Sequence, residues 1–241
     1  MDFSQEFLNA LAQNNLPKIS DDKISLFSRF TDHLLEVNRI TNLTAIRDIP
    51  SVIRKHHVDS LLVSSYIPQG ARVLDIGCGP GFPSLPLAIA RPDLEIVSLD
   101  STSKKIAFVQ ETALLLNLKN IRAISGRAED RSISRQLGTF DVVVSRAVAG
   151  LNVLTELCLP YLKIGGTMIA MKGAKIEDEI GELLKGHSLE LLGGEKPIMK
   201  TWELILQDNS AETRGAVLIK KKSQSDKQYP RPYAQILKKP L

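Results

Sequence analysis

The sequence predicts an α/β fold in which a doubly wound, mostly parallel sheet follows an N-terminal helical extension. Three observations predict it. From about 70 to 222, short apolar runs alternate with amphipathic stretches, the pattern of βαβ units. The first run, Val73-Leu74-Asp75-Ile76, leads into Gly77, Gly79 and Gly81 just before a helix start. The second run ends on an acid, Asp100, where such a sheet holds the sugar of a nucleotide-like ligand.

The elements follow in order. Phe3, Phe7, Leu8 and Leu11 share a helical face, and Ile24, Phe27, Phe30, Leu34 and Val37 share another. Ser20 or Asp21 caps the second helix, and Asn42-Leu43-Thr44 breaks its pattern. A third helix is expected over about 50–64. Strands are expected over 72–75, 95–99, 121–125, 140–145 and 167–171, all rich in β-branched residues. Later strands are expected near 188–194, 201–206 and 215–220, and helices near 84–90, 102–116, 151–162 and 175–184. The end of the chain is polar and punctuated by proline in Tyr229-Pro230-Arg231-Pro232-Tyr233. The domain reading is a helical extension over 1–68, a sheet domain over 69–222 and a basic tail over 223–241.

At 241 residues the chain is long enough to bury a full core. It lacks a run of about 18 apolar residues, and Met1-Asp2-Phe3-Ser4 lacks a basic, then apolar, leader; no membrane contact and a cytoplasmic location are expected. Cys78 and Cys158 have neither metal-ligand nor disulfide spacing, and Cys158 reads as a small core residue. The net charge of +4 is unevenly spread: residues 196–241 hold ten basic and four acidic side chains. Such an end is either a polyanion contact or a solvated tail.

The glycine loop decides which nucleotide-like ligand fits. A dinucleotide fingerprint spaces its glycines G-x-G-x-x-G, whereas here the third falls one place early and Phe82 stands where a small residue is needed. Pro83 and Pro86 remove N–H groups from the first turn of the next helix, the donors a diphosphate uses. A cofactor without phosphates, such as S-adenosylmethionine, loses nothing. Asp75 can hold its cationic methionine end directly or through water, and Asp100 can accept both ribose hydroxyls. The bland alternative is a β-turn-α corner that binds nothing.

Further motifs extend the pattern: Asn42-Leu43-Thr44, His56-His57-Val58-Asp59-Ser60, Leu85-Pro86-Leu87-Ala88, Leu99-Asp100-Ser101, Lys104-Lys105, Ser145-Arg146-Ala147, Lys172-Gly173 and Tyr229-Pro230-Arg231. On these, over nearly its whole length, the chain resembles the GidB/RsmG family of methyltransferases, which modify N7 of a guanine in small-subunit (16S) ribosomal RNA. The resemblance implies a Rossmann-like class I S-adenosylmethionine-dependent methyltransferase fold with seven strands. It implies cofactor contacts at Gly77, Phe82, Asp100, Ser101, Thr102, Ala128, Glu129 and Arg146, beside Asp75 and Gly79 from the loop itself. The tail departs from the family: Pro232-Tyr233-Ala234-Gln235-Ile236 stands where basic residues, proline and glycine usually follow. Whether the tail turns back onto the cofactor side is therefore open.

Guanine N7 is an uncharged acceptor with a free lone pair, so no proton must leave before it attacks a sulfonium methyl. Position dominates such a reaction. Methylation of exocyclic amines often employs Asp/Asn-Pro-Pro-aromatic after the fourth strand, where this chain has Ser145-Arg146-Ala147-Val148. Arg146 stays protonated and is no general base, so its expected role is positioning. His56 and Asp59 stand one helical turn apart, at the substrate mouth or in a helix-to-core contact; with no third and fourth ligand, no metal is expected. RNA contacts are expected at Lys172, by the family match, and at Lys220, Lys221, Lys222 and Arg231. The partner is then ribosomal RNA or the small ribosomal subunit, and the protein a monomer. A small-molecule methyltransferase and a non-catalytic RNA-binding module are the alternatives. The first leaves the basic end without a task, and the second leaves Asp75, the glycines and Asp100 without one.

Overall fold

The computed structural model describes residues 2–241, so Met1 lies outside the described residues. Seven strands form one sheet: β1 (Arg72–Ile76), β2 (Glu95–Asp100), β3 (Ile121–Ser125), β4 (Phe140–Arg146), β5 (Leu162–Lys172), β6 (Ile198–Ile205) and β7 (Ala211–Lys220). Their order is β3-β2-β1-β4-β5-β7-β6, with β1–β5 parallel and β7 antiparallel to both of its neighbours. The chain winds outward from β1 in one direction and from β4 in the other, so a crevice opens at their carboxyl ends. Ligands of open α/β sheets bind there.

Helices cover both faces: α5 (Ser84–Ala90), α6 (Ser103–Leu115), α7 (Arg131–Leu137), α8 (Leu151–Cys158), α9 (Ile176–Lys185) and α10 (Ser188–Leu192). The helix α7 was not expected from the pattern; Asp130 starts it by accepting a bond from the Ser132 N–H at 2.7 Å. The expected strand near 188–194 is instead α10, ended by Gly193 in the left-handed conformation, plus a single bridge from Gly194 to Lys221. A short apolar run such as Leu189–Leu192 suits a buried helix as well as a strand, and periodicity alone does not separate them.

The N-terminal helices α1 (Phe3–Gln13) and α2 (Asp21–Thr41) do not build a core of their own. Their Phe7, Phe27, Phe30 and Leu34 are fully buried in one cluster with Phe82, Leu85, Ile89 and Phe108 of the sheet domain. The expected third helix is broken into α3 (Ile49–Val52), a wider π turn (Ile53–Val58) and α4 (Asp59–Leu61). Such turns recur at functional sites because they re-aim side chains. Here the π turn carries Arg54, Lys55, His56 and His57. Among the described residues no helix is long and apolar enough to cross a membrane. The tail ends in a further short helix, α11 (Tyr233–Lys238), begun at Pro232.

Candidate active site

The loop after β1 is fixed from below by the Leu99 carbonyl, which accepts from the Gly77 and Cys78 N–H groups at 2.7 and 3.2 Å. Gly77 and Gly79 both adopt positive φ, +72° and +56°, where a side chain costs strain. At Gly77 a Cβ atom would also come within 2.3 Å of Val148 Cγ2. The Asp100 carboxylate closes the turn from β2, accepting from Gly79 N–H at 3.0 Å through Oδ2 and from Thr102 N–H at 2.8 Å through Oδ1. Each oxygen keeps a further lone pair.

Above these residues lies a cavity of about 330 Å³ lined by Gly77, Asp100, Ser101, Thr102, Ala128 and Glu129, with Tyr233 at its edge. Six of the cofactor candidates from the sequence thus meet around one space. Tyr161, buried below, donates its hydroxyl to the Ala128 carbonyl at 2.8 Å and so fixes that backbone. The cavity suits a nucleoside without phosphates. In the first turn of α5, Pro83 and Pro86 have no N–H, the Ser84 N–H goes to Asp75 Oδ2 at 3.1 Å, and the Leu85 N–H goes to the Gly81 carbonyl. No donor is left there for a diphosphate, whereas Asp100 still offers lone pairs to a ribose. Asp100→Ala is accordingly expected to weaken S-adenosylhomocysteine binding by about 1–3 kcal/mol, read by calorimetric titration. Unchanged affinity would remove Asp100 from the cofactor site.

Four cofactor candidates do not line this cavity: Gly79, whose N–H is spent on Asp100, and Asp75, Phe82 and Arg146. Asp75 is fully buried and does not line the cavity; burial pushes its carboxyl up to about 7 against the pull of Ser84, and its Oδ1 has no partner among the described residues. A direct hold on a methionine end is therefore replaced by a hold on the start of α5. The buried Phe82 ring stacks on His56 (centroids 4.3 Å apart, planes at 17°) and on Phe30, facing the helical extension. It is a platform, with the Arg146 guanidinium 5.2 Å from its ring centre.

Arg146 ends β4 and borders a second space of about 650 Å³, lined among others by Lys55, His56, Asp59, Lys172 and Arg214. Ala147 and Val148 wall both cavities, with Ala147 held at φ +55°. Arg146 Nη1 donates to the Lys55 carbonyl at 3.0 Å and to Asp59 Oδ2 at 2.9 Å, and Nη2 donates to His56 Nδ1 at 3.2 Å. With three of its five donors used, two remain for a ligand. His56 lies 2.9 Å from the Thr44 hydroxyl through Nε2. Burial, and then the Arg146 charge, bring its pKa down to about 3, so it stays neutral and accepts from Arg146. Burial pushes Asp59 up, and Arg146 and Arg214 pull it back. Arg214 stands 3.5 Å from Asp59 Oδ1 and also pairs with Glu212, which Lys55 reaches at 2.6 Å. Sequence reasoning missed Arg214 and Lys55.

The expected RNA contacts fare differently. Lys172, its side chain only 8 % exposed, is committed to the Ala149 carbonyl and to Glu179, which in turn caps the Leu151 N–H. It fixes the loop over both cavities and is not free to meet a phosphate. Because β7 runs antiparallel to β5, Lys220 pairs with Thr167 and Gly215 with Lys172. The run 220–222 therefore leaves the sheet at the end opposite the mouth. Within it Lys221 is 1 % exposed, donating to the Leu192 carbonyl and to Ser225, and burial lowers its pKa to about 8. Arg231 is occupied by Glu156, through Nε at 2.8 Å and Nη2 at 2.6 Å. The tail does turn back onto the sheet domain, where Tyr233 reaches the first cavity.

A family model described as "rRNA small subunit methyltransferase G", GidB, matches residues 23–198. The chain is 37% identical over 240 residues to ribosomal RNA small subunit methyltransferase G of Clostridium kluyveri, covering 98% of each. It is 43% identical over 228 residues to the protein of that name from Lachnoclostridium phytofermentans, covering 92% of this chain and 91% of that one. In fold it is similar to an O-methyltransferase from Bacillus cereus solved with SAH, with a TM-score of 0.58 at 17% identity over 88% of this chain and 96% of that one.

Proposed function

The chain belongs to the GidB family, rRNA small subunit methyltransferase G, and on that premise we propose that it transfers a methyl group from S-adenosylmethionine to N7 of a guanine in small-subunit ribosomal RNA. The cofactor supplies an electrophilic methyl group on a sulfonium centre. Asp100, Ser101, Thr102, Ala128 and Glu129 hold its nucleoside in the first cavity, and the loop at Ala147 and Val148 separates that cavity from the space that receives the base.

The observation carrying the choice of N7 is that the groups able to act as a base at this mouth are already engaged. His56 accepts from Arg146 and meets Thr44 with its other nitrogen, Asp59 lies against two guanidiniums, and Arg146 has only donors to offer. An exocyclic amine would have to lose a proton during transfer, whereas the acids lining this mouth are held in ion pairs, Asp59 with Arg146 and Arg214 and Glu179 with Lys172. N7 needs only alignment. The two free donors of Arg146 suit guanine O6, the acceptor beside N7 on the same edge.

The helices of 1–68 supply the His56 and Asp59 wall, the sheet domain of 69–222 supplies the cofactor cavity, and the tail of 223–241 closes it. The protein acts as a monomer in the cytoplasm, on ribosomal RNA or the assembled small subunit. Unmodified small-subunit RNA, given the cofactor and this protein, is expected to yield 7-methylguanosine on nucleoside mass spectrometry. RNA transcribed with 7-deazaguanosine is expected to take no methyl group, because the attacking lone pair is gone. Any other methylated nucleoside from the unsubstituted RNA would overturn the assignment to N7.

A further inference from the structure

The C-terminal tail ends up beside the candidate cofactor cavity. Tyr233, first residue of α11, lines that cavity together with Arg127, Ala128, Glu129 and Leu157. The ring is half-buried against the main core. Its position is set from both sides. One residue before Pro232, Arg231 grips the fully buried Glu156 of α8 with its backbone N–H at 2.9 Å and its guanidinium at 2.8 and 2.6 Å. Three residues after Tyr233, Ile236 is fully buried in the same core. The first turn of α11 closes with the Gln235 N–H on the Pro232 carbonyl at 2.8 Å. The tail is thus a strap fastened at two points, with an aromatic ring presented to the cavity between them.

We propose that this strap is a wall of the cofactor cavity and that Tyr233 lays its ring against the adenine of the bound cofactor. The inference rests on the cofactor reading above, in which Asp100 takes the ribose. If the ribose sits there, the base extends toward Ala128 and Glu129, the stretch that Tyr233 borders. A planar purine and a phenol ring attract each other in offset or edge-on arrangement, and the ring loses little freedom because the strap already fixes its backbone. Ser101 and Thr102 offer polar contacts at the sugar, so Tyr233 is the aromatic partner this cavity has for the base.

The test is calorimetric titration of the full-length protein with S-adenosylhomocysteine and, separately, with adenosine. Tyr233→Leu keeps apolar packing but removes the aromatic face, and is expected to weaken both ligands roughly tenfold. Tyr233→Phe keeps the face and is expected to bind both as the wild type does. Thermal unfolding without ligand is expected to be the same for all three proteins, since the ring is half-exposed. Equal affinity of wild type and Tyr233→Leu would overturn the proposal while leaving the cofactor reading intact. Failure of the wild type itself to bind S-adenosylhomocysteine would overturn both. Loss for S-adenosylhomocysteine with none for adenosine would place the ring at the amino-acid end and so overturn the adenine assignment.

Discussion

Arg146→Ala is expected to slow methyl transfer by about 10²–10³-fold, the usual loss when one preorganised donor is removed from a reacting centre. Its affinity for S-adenosylhomocysteine is expected to stay near that of the wild type, because Arg146 borders the second cavity and not the first. RNA affinity should fall far less than turnover, so that the effect appears in kcat and not in KM. The reason is the geometry of the fork. The Lys55 carbonyl, Asp59 and His56 fix the guanidinium plane from three directions, over the face of Phe82, and leave two donors on a side chain that lines the second cavity. Arg146→Lys is expected not to restore turnover, since an ammonium on a flexible stem cannot meet those partners and a base edge in one plane. Single-turnover kinetics with saturating cofactor separates these effects. A kcat within a few-fold of the wild type would show that Arg146 is only a strand exit.

Legibility in the sequence followed distance along the chain. The cofactor cavity draws on the ends of β1, β2 and β3, adjacent strands whose parallel register sets Ile76 beside Leu99 and Asp100 beside Ser125. A glycine turn and an acid at the next strand end therefore suffice to point to this cavity. Arg146 was visible as a charge after an apolar strand, but its partners His56 and Asp59 lie 90 and 87 residues away. The sequence places that pair at the substrate mouth or in a helix-to-core contact, but nothing in it links them to Arg146. Arg214 was not flagged at all, because only the antiparallel return of β7 brings its first half to the mouth. The same reversal sends Lys220 and Lys222 to the far end of the sheet. The inward turn of Lys221 did have a signal, since a strand alternates sides and the middle of three lysines must face opposite to its neighbours. Charge counting treats the three as equal. The tail was read as polar and irregular because its one buried acid partner, Glu156, sits 75 residues earlier inside an apolar helix.

That partnership gives the largest expected loss of stability. Arg231→Met is expected to destabilise the fold by about 3–5 kcal/mol, because it leaves the fully buried Glu156 carboxylate without its counter-charge. For a chain of this size the midpoint of thermal unfolding would drop by roughly 6–20 °C. The double variant Glu156→Gln with Arg231→Met carries no buried charge and is expected to recover most of the loss. A simple loss of contacts would make the double variant no better than the single one. Differential scanning calorimetry of the three proteins decides between them. A shift of a degree or less in the single variant would mean that Glu156 reaches water, and that the strap carrying Tyr233 is held by Ile236 alone.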